Sequence, residues 1–167
     1  MDMKEILVEK VTLNIGAGEG GQKLENAKIL LERISGRKAI KTLSQTRNPV
    51  FHIKKGDPIG VKVTLRGETA LDILKKSLKA SESRLSKKSI DKFGNFAFGV
   101  KEYIDYPGLK YDPSIGIIGF DVCVTLKRKG ERVAKRRIKK TKIGKKHKIT
   151  KEESMNFIKN KFEIEIF

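Results

Sequence analysis

Residues 59–66, Ile-Gly-Val-Lys-Val-Thr-Leu-Arg, decide the fold. Ile59, Val61, Val63 and Leu65 fall on one side of an extended chain, and Gly60, Lys62, Thr64 and Arg66 on the other. Such a strand buries one face and leaves the other polar and basic, the pattern of an antiparallel sheet covered on one side only. Gly67 ends the run, and Gly56-Asp57-Pro58 precedes it as a turn.

Moving toward the N-terminus, Ala39 to Gln45 reads as a short second strand, joined to residues 59–66 by a loop from Arg47 to Pro58. Leu24, Ala27, Leu30, Leu31 and Ile34 recur at helical spacing, and Gly36 is a C-terminal stop. Ile6 to Ile15 predicts the first strand, with Leu7, Val11, Leu13 and Ile15 on one face and Lys10, Thr12 and Asn14 on the other. Gly16 to Gly21 breaks it.

Toward the C-terminus, Leu71, Ile73, Leu74 and Leu78 mark a second helix, ending about Ser81, and Ser83 to Ser89 reads as loop. Phe96 to Tyr103 is a strand. Asp105 to Gly119, with Pro107, Gly108, Pro113, Gly116 and Gly119, reads as a long mobile loop. Phe120, Val122, Val124 and Leu126 alternate with Asp121, Cys123, Thr125 and Lys127 in another strand. Thr150 and Glu153 have the spacing of a capping box for a last helix, and Phe162, Ile164 and Ile166 suggest a final strand. This order predicts an α+β fold: an antiparallel sheet with helices packed on one face and the other face free. Residues 1–167 read as one domain, with a mobile loop at 105–119 and a basic extension at 127–151.

At 167 residues the chain buries a core without staples. A single cysteine, Cys123, precludes an internal disulfide, fits a reducing cytoplasm and reads as a packing thiol. No stretch of 18 apolar residues is present, so no membrane span or membrane partner is expected, and the N-terminus lacks the apolar core of a secretory signal. The formal charge is +18. Lys127 to Lys151 holds fourteen Lys or Arg against one acid, Glu131. Such a block repels itself and is expected to gain order on a polyanion, with salt-dependent affinity from counterion release. The bland alternative is a solvated tail. Trp is absent and aromatics make up 7%, so stacking on many rings is not expected to be the main binding mode.

If helices cover one face, the other carries Lys10, Thr12, Asn14, Lys62, Thr64 and Arg66, with Lys41 and Gln45 from the second strand. Cations suit phosphates; hydroxyls and amides suit 2′-hydroxyls and base edges. An ordinary solvated face alternates polar residues too. Gly16, Gly18 and Gly21 match the G-x-G-x-x-G spacing, but the acid that a dinucleotide site needs about 20 residues on is replaced by Ser35-Gly36-Arg37-Lys38. A tight turn is the better account. His52, His147 and Cys123 have no partners at ligand spacing, so no metal is expected, and no nucleophile–base set is evident. No enzyme and no cofactor are expected.

VEKVTLNIGAGEG (8–20), ISGRKAIKTLSQTRNPV (34–50), IKKGDPIGVKVTLRGE (53–68) and GNFAFGVKEYIDYPGLKYDPSIGIIGFDVCVTLKRKG (94–130) closely resemble the family of universal large-subunit ribosomal protein five, and RVAKRRIKKTKIGKKHKITKEESMNFIKNKF (132–162) resembles its archaeal and eukaryotic branch. The resemblance implies a cytoplasmic ribosomal protein. It would bind 5S rRNA and large-subunit rRNA in the central protuberance, among the other proteins there, touch the P-site tRNA and bridge to a small-subunit head protein. It implies 5S rRNA contacts by Asn14, Gln45, Thr64 and Arg66. The tRNA-facing loop matches residues 47–57, with Arg47, His52, Lys54 and Lys55 as candidates. Charge alone nominates Arg136, Arg137, Lys139, Lys140, Lys145 and Lys146 as rRNA contacts of the extension.

Overall fold

A computed structural model describes residues 3–18 and 20–167. Five strands form one antiparallel sheet: β1 (Ile6–Gly16), β2 (Ile40–Leu43), β3 (Pro58–Leu65), β5 (Phe96–Val100) and β6 (Phe120–Arg128), in spatial order β2-β3-β1-β6-β5. Two-residue strands β4 (Arg84–Leu85) and β7 (Glu165–Ile166) pair in parallel beside it. Helices α1 (Gln22–Ser35) and α2 (Glu68–Ala80) bury Leu24, Leu30, Leu31, Leu74 and Leu78 against Val11, Leu13, Val61, Val63, Val122 and Val124. The fold is the expected α+β sheet with helices on one face.

The helix limits follow local chemistry. Gly36 adopts φ 62°, a left-handed turn that side chains resist, and its N–H donates to the Glu32 carbonyl at 2.8 Å. Helix α4 (Lys151–Phe162) starts on the expected capping box: the Thr150 N–H donates to Glu153 Oε2 at 2.9 Å, and the Glu153 N–H donates to Thr150 Oγ1 at 3.4 Å. The Gly-rich turn is spent on the fold, since the N–H groups of Ala17 and Gly18 both donate to the Ile59 carbonyl. Glu19 of that turn, with Met1 and Asp2, lies outside the described residues.

Four expectations are corrected. First, β1 contains a bulge at Glu9: Val8 pairs with Leu126 but Lys10 with Thr125. The extra residue reverses the phase, so Ile6 and Val8 face the core while Leu7 lies opposite Lys127 on the other side. Second, β2 is shorter than Ala39–Gln45 and places Lys41 opposite Val61, on the helix side, where its ammonium pairs with Glu25 of α1. Gln45 lies beyond the strand, exposed.

Third, the 105–119 segment is pinned. Tyr103, Tyr106 and Ile115 are buried; the Asp112 N–H donates to the Tyr103 hydroxyl at 2.8 Å; Asn26 Nδ2 donates to the Ser114 carbonyl at 2.8 Å; and Arg33 Nη1 lies 2.7 Å from Asp112 Oδ2. Hydrogen bonds from Ser114 and Arg33 lower the Asp112 carboxyl to about 2. Fourth, the final strand is two residues long, because Phe162 completes α4.

The two faces of β3 make opposite predictions. Val63→Ala should cost about 0.5–3 kcal/mol of stability, whereas Thr64→Ala, on the free face, should stay within about 0.5 kcal/mol. Denaturant unfolding of both variants checks this, and the reverse ranking would invert the sheet.

Candidate nucleic-acid interface

The antiparallel register sets the free face out as rows. Thr12 lies between Thr64 and Cys123, and Asn14 between Lys62 and Asp121. Ala97 and Gly99 of β5 extend these rows, opposite Cys123 and Asp121. With strands about 4.8 Å apart, each row is a shallow shelf of small or polar side chains. Lys62, Thr64 and Arg66 are exposed, while Lys10, Thr12 and Asn14 are half-buried because β1 has neighbours on both sides. Asn14, Lys62, Thr64 and Arg66 therefore share one accessible face, and Lys41 does not belong to it.

Cys123 stands exposed on this face rather than in the core, which corrects its reading as a packing thiol. Partial burial and the Asp121 carboxylate push its thiol pKa up, away from the reactive thiolate. Among the described residues, no three of His, Cys, Asp or Glu gather as a metal site, and no helix is long and apolar enough to cross a membrane.

The 44–57 loop is a built projection. Ser44 and Gly56–Asp57 exchange backbone hydrogen bonds at its base, and Asn48 and Ile53 do so near its tip, at 2.9 and 3.0 Å. His52 takes φ 54° to close the turn. Arg47, His52, Lys54 and Lys55 are all exposed on it. The tip also presents Val50 and Phe51, 80% and 68% exposed. Sequence reasoning passes over these two, because an apolar pair in a loop carries no periodic signal.

The basic extension divides into anchored and free cations. Arg128 is buried and lies 2.6 Å from Glu153; Lys129 pairs with Glu5; and Lys135, in the single turn α3 (Arg132–Lys135), pairs with Glu9 and Glu131. His147 Nε2 donates to the Lys129 carbonyl at 2.9 Å. Ile149 is buried against Gly94, whose φ of 78° and lack of a side chain admit it: a Cβ there would stand 2.7 Å from Ile149 Cγ2. Ser154 Oγ completes the seam by donating to the Gly94 carbonyl at 2.7 Å. The segment thus folds back onto the domain. Arg136, Arg137, Lys139, Lys140, Lys145 and Lys146 remain exposed, and none has an acidic partner among the described residues.

A one-sided sheet with a polar, cationic free face, a basic projecting loop and a row of unpaired cations has the features of the nucleic-acid-binding class of protein. The comparisons specify which kind. Residues 2–54 match the family model of ribosomal protein L5, and residues 58–157 match the model of the same ribosomal family's C-terminus. Proteins called large ribosomal subunit protein uL5 are similar throughout. That of Methanococcoides burtonii is 49% identical over 98% of this chain and 97% of its own; that of Archaeoglobus fulgidus is 49% identical over 95% and 88%; that of Nanoarchaeum equitans is 48% identical over 98% and 97%. The chain belongs to the L5 family of large-subunit ribosomal proteins, in its archaeal form, whose members are structural constituents and not enzymes.

Anchoring of the extension is measurable. Ile149→Ala should cost about 2–5 kcal/mol and should speed hydrogen exchange across residues 141–149 before it reaches β1 or β3. Unchanged stability and exchange would mean that the segment is a free tail.

Proposed function

We propose that this chain is a structural constituent of the large ribosomal subunit that grips 5S rRNA with the free face of its sheet and large-subunit rRNA with its extension. The carrying observation is the common orientation of Asn14, Thr64 and Arg66, with Lys62 beside them, on the one sheet face that no helix covers. Gln45 joins them from the exposed segment after β2. Thr and Asn read 2′-hydroxyls and base edges, Arg66 and Lys62 meet phosphates, and the small side chains between them allow an RNA backbone to approach closely.

The 44–57 loop carries the tRNA contact in this reading. Arg47, His52, Lys54 and Lys55 meet the phosphates of the P-site tRNA without regard to sequence, which suits a surface that must accept every tRNA. In this reading the chain takes a seat in the central protuberance beside its other proteins and bridges to a protein of the small-subunit head. The six free cations of the extension neutralise rRNA phosphates.

Gel-shift of 5S rRNA against a tRNA competitor tests specificity: the shifted complex should survive an equal mass of tRNA, and its loss would reduce the protein to a charge-driven binder. Arg66→Ala and Thr64→Ala should each weaken the 5S rRNA complex with little change in unfolding midpoint, and undiminished affinity in both would remove the sheet face from the interface.

Changing Lys139, Lys140, Lys145 and Lys146 together to Gln should flatten the salt dependence of large-subunit rRNA binding, by roughly one unit of slope per lost phosphate contact. A slope equal to that of the unaltered protein would show that these four lysines touch no phosphate.

A further inference from the structure

Among the described residues Glu9 is the only acid that is nine-tenths buried, and it lies at the edge of the face proposed to hold RNA. The bulge in β1 puts it there, as the extra residue between the Val8–Leu126 and Lys10–Thr125 pairs. A single oxygen, Oε1, receives two cations: Arg66 Nη1 from the end of β3 at 3.3 Å, and the ammonium of Lys135 from α3. Burial alone pushes the Glu9 carboxyl upward, but Lys135 and Arg66 outweigh it and hold it below the usual carboxylate range. It therefore stays charged at neutral pH. The side chains of Arg66 and Lys135 are 58% and 53% exposed, so each turns one side to Glu9 and the other to solvent.

On charge alone this carboxylate is a liability, since a polyanion would be drawn more strongly to the same surface without it. Its geometry offers the compensation. Arg66 and Lys135 come from segments 69 residues apart, one on the sheet and one in the basic extension, and only Glu9 holds them to a common point. Fixing a guanidinium before RNA arrives removes the entropy loss of fixing it on contact and aims its fork at a phosphate. We propose that Glu9 is a positioning residue, which orients Arg66 and Lys135 and thereby joins the sheet face and the extension into one continuous RNA-binding surface. The inference rests on the reading that Arg66 contacts 5S rRNA.

The isosteric exchange Glu9→Gln separates positioning from charge because the two predict opposite signs. It adds one unit of positive charge, so electrostatics alone predicts tighter binding of 5S rRNA. Positioning predicts binding weaker by about tenfold, the scale of one lost charge-assisted hydrogen bond. The cycle of Glu9→Gln, Arg66→Ala and the double variant is read by gel-shift at two salt concentrations, with unfolding midpoints alongside. The double variant should lose less than the two single losses combined, because the part of the Glu9→Gln effect that runs through Arg66 vanishes once the guanidinium is gone, and the guanidinium NMR signals of Arg66 should broaden or average in Glu9→Gln. Lys135→Gln gives a second arm that leaves the buried carboxylate in place: it should weaken binding by more than the loss of one phosphate contact elsewhere in the extension, such as Lys140→Gln. Equal or tighter binding by Glu9→Gln, or additive losses in the cycle, would overturn the positioning role while leaving Arg66 as a contact. An unaffected Arg66→Ala would overturn the contact and the positioning role together.

Discussion

The pairing of β1 with β3 on one side and β6 on the other is the constraint from which the rest follows. In an antiparallel ladder, partners across the strands point to the same face. Leu13 opposite Val63 and Val122 therefore builds the floor beneath α1 and α2, and the same register sets Thr12 between Thr64 and Cys123 on the other side. A slip of one residue in the β1–β3 pairing would bury Lys62 and Arg66 and expose Val63. Core and free face are thus one property of one register, and burial of the apolar rows specifies where the polar rows must lie.

The second constraint is charge. A protein at +18 folds against its own repulsion. The structure relieves this selectively. Acids are placed where a cation must be held to the body: Glu153 on Arg128, Glu5 on Lys129, Glu9 and Glu131 on Lys135. The stretch between α3 and the short turn at Lys145–His147 is left without them, and its cations point outward. The Lys129–Glu5 pair, which lies at the surface, contributes little stability. The buried Ile149 and the hydrogen bond from Ser154 to Gly94 do more to hold the extension down.

Much of this is legible in the sequence wherever a periodic signal runs without interruption. The alternation in residues 59–66 and 120–127, the helical spacing from Leu24 to Ile34, the stop at Gly36 and the capping box at Thr150 each correspond to a single local cause. Asn14, Lys62, Thr64 and Arg66 emerge as one face for the same reason. The misreadings occur where phase is broken or where a lone contact decides. Nothing in Ile6–Gly16 announces an extra residue at Glu9, so simple alternation assigns Leu7 to the wrong side. Strand β2 is short and has no clean period, so alternation misplaces Lys41 and counts Gln45 within the strand. The 105–119 segment looks mobile from its glycines and prolines, but Tyr103, Asn26 and Arg33, distant in sequence, tie it down. In the extension, Ile149 is one apolar residue among lysines, and its burial depends on a glycine 55 positions earlier.

The arrangement divides labour according to how each kind of contact behaves with distance. Unpaired cations on long side chains act at the range of a Debye length, about 8 Å in physiological salt, and draw in any polyanion. Hydroxyl and amide groups act only at about 3 Å and only in the correct direction. The first kind tolerates an irregular backbone, and the six free cations lie on the least regular part of the chain. The second kind needs a rigid support: Thr12 and Asn14 stand on β1, which is paired on both sides, and Thr64 stands on β3 directly opposite Thr12. The short-range groups thus sit where the core leaves them the least freedom to move, and long-range attraction falls to the segment that can best follow a phosphate backbone.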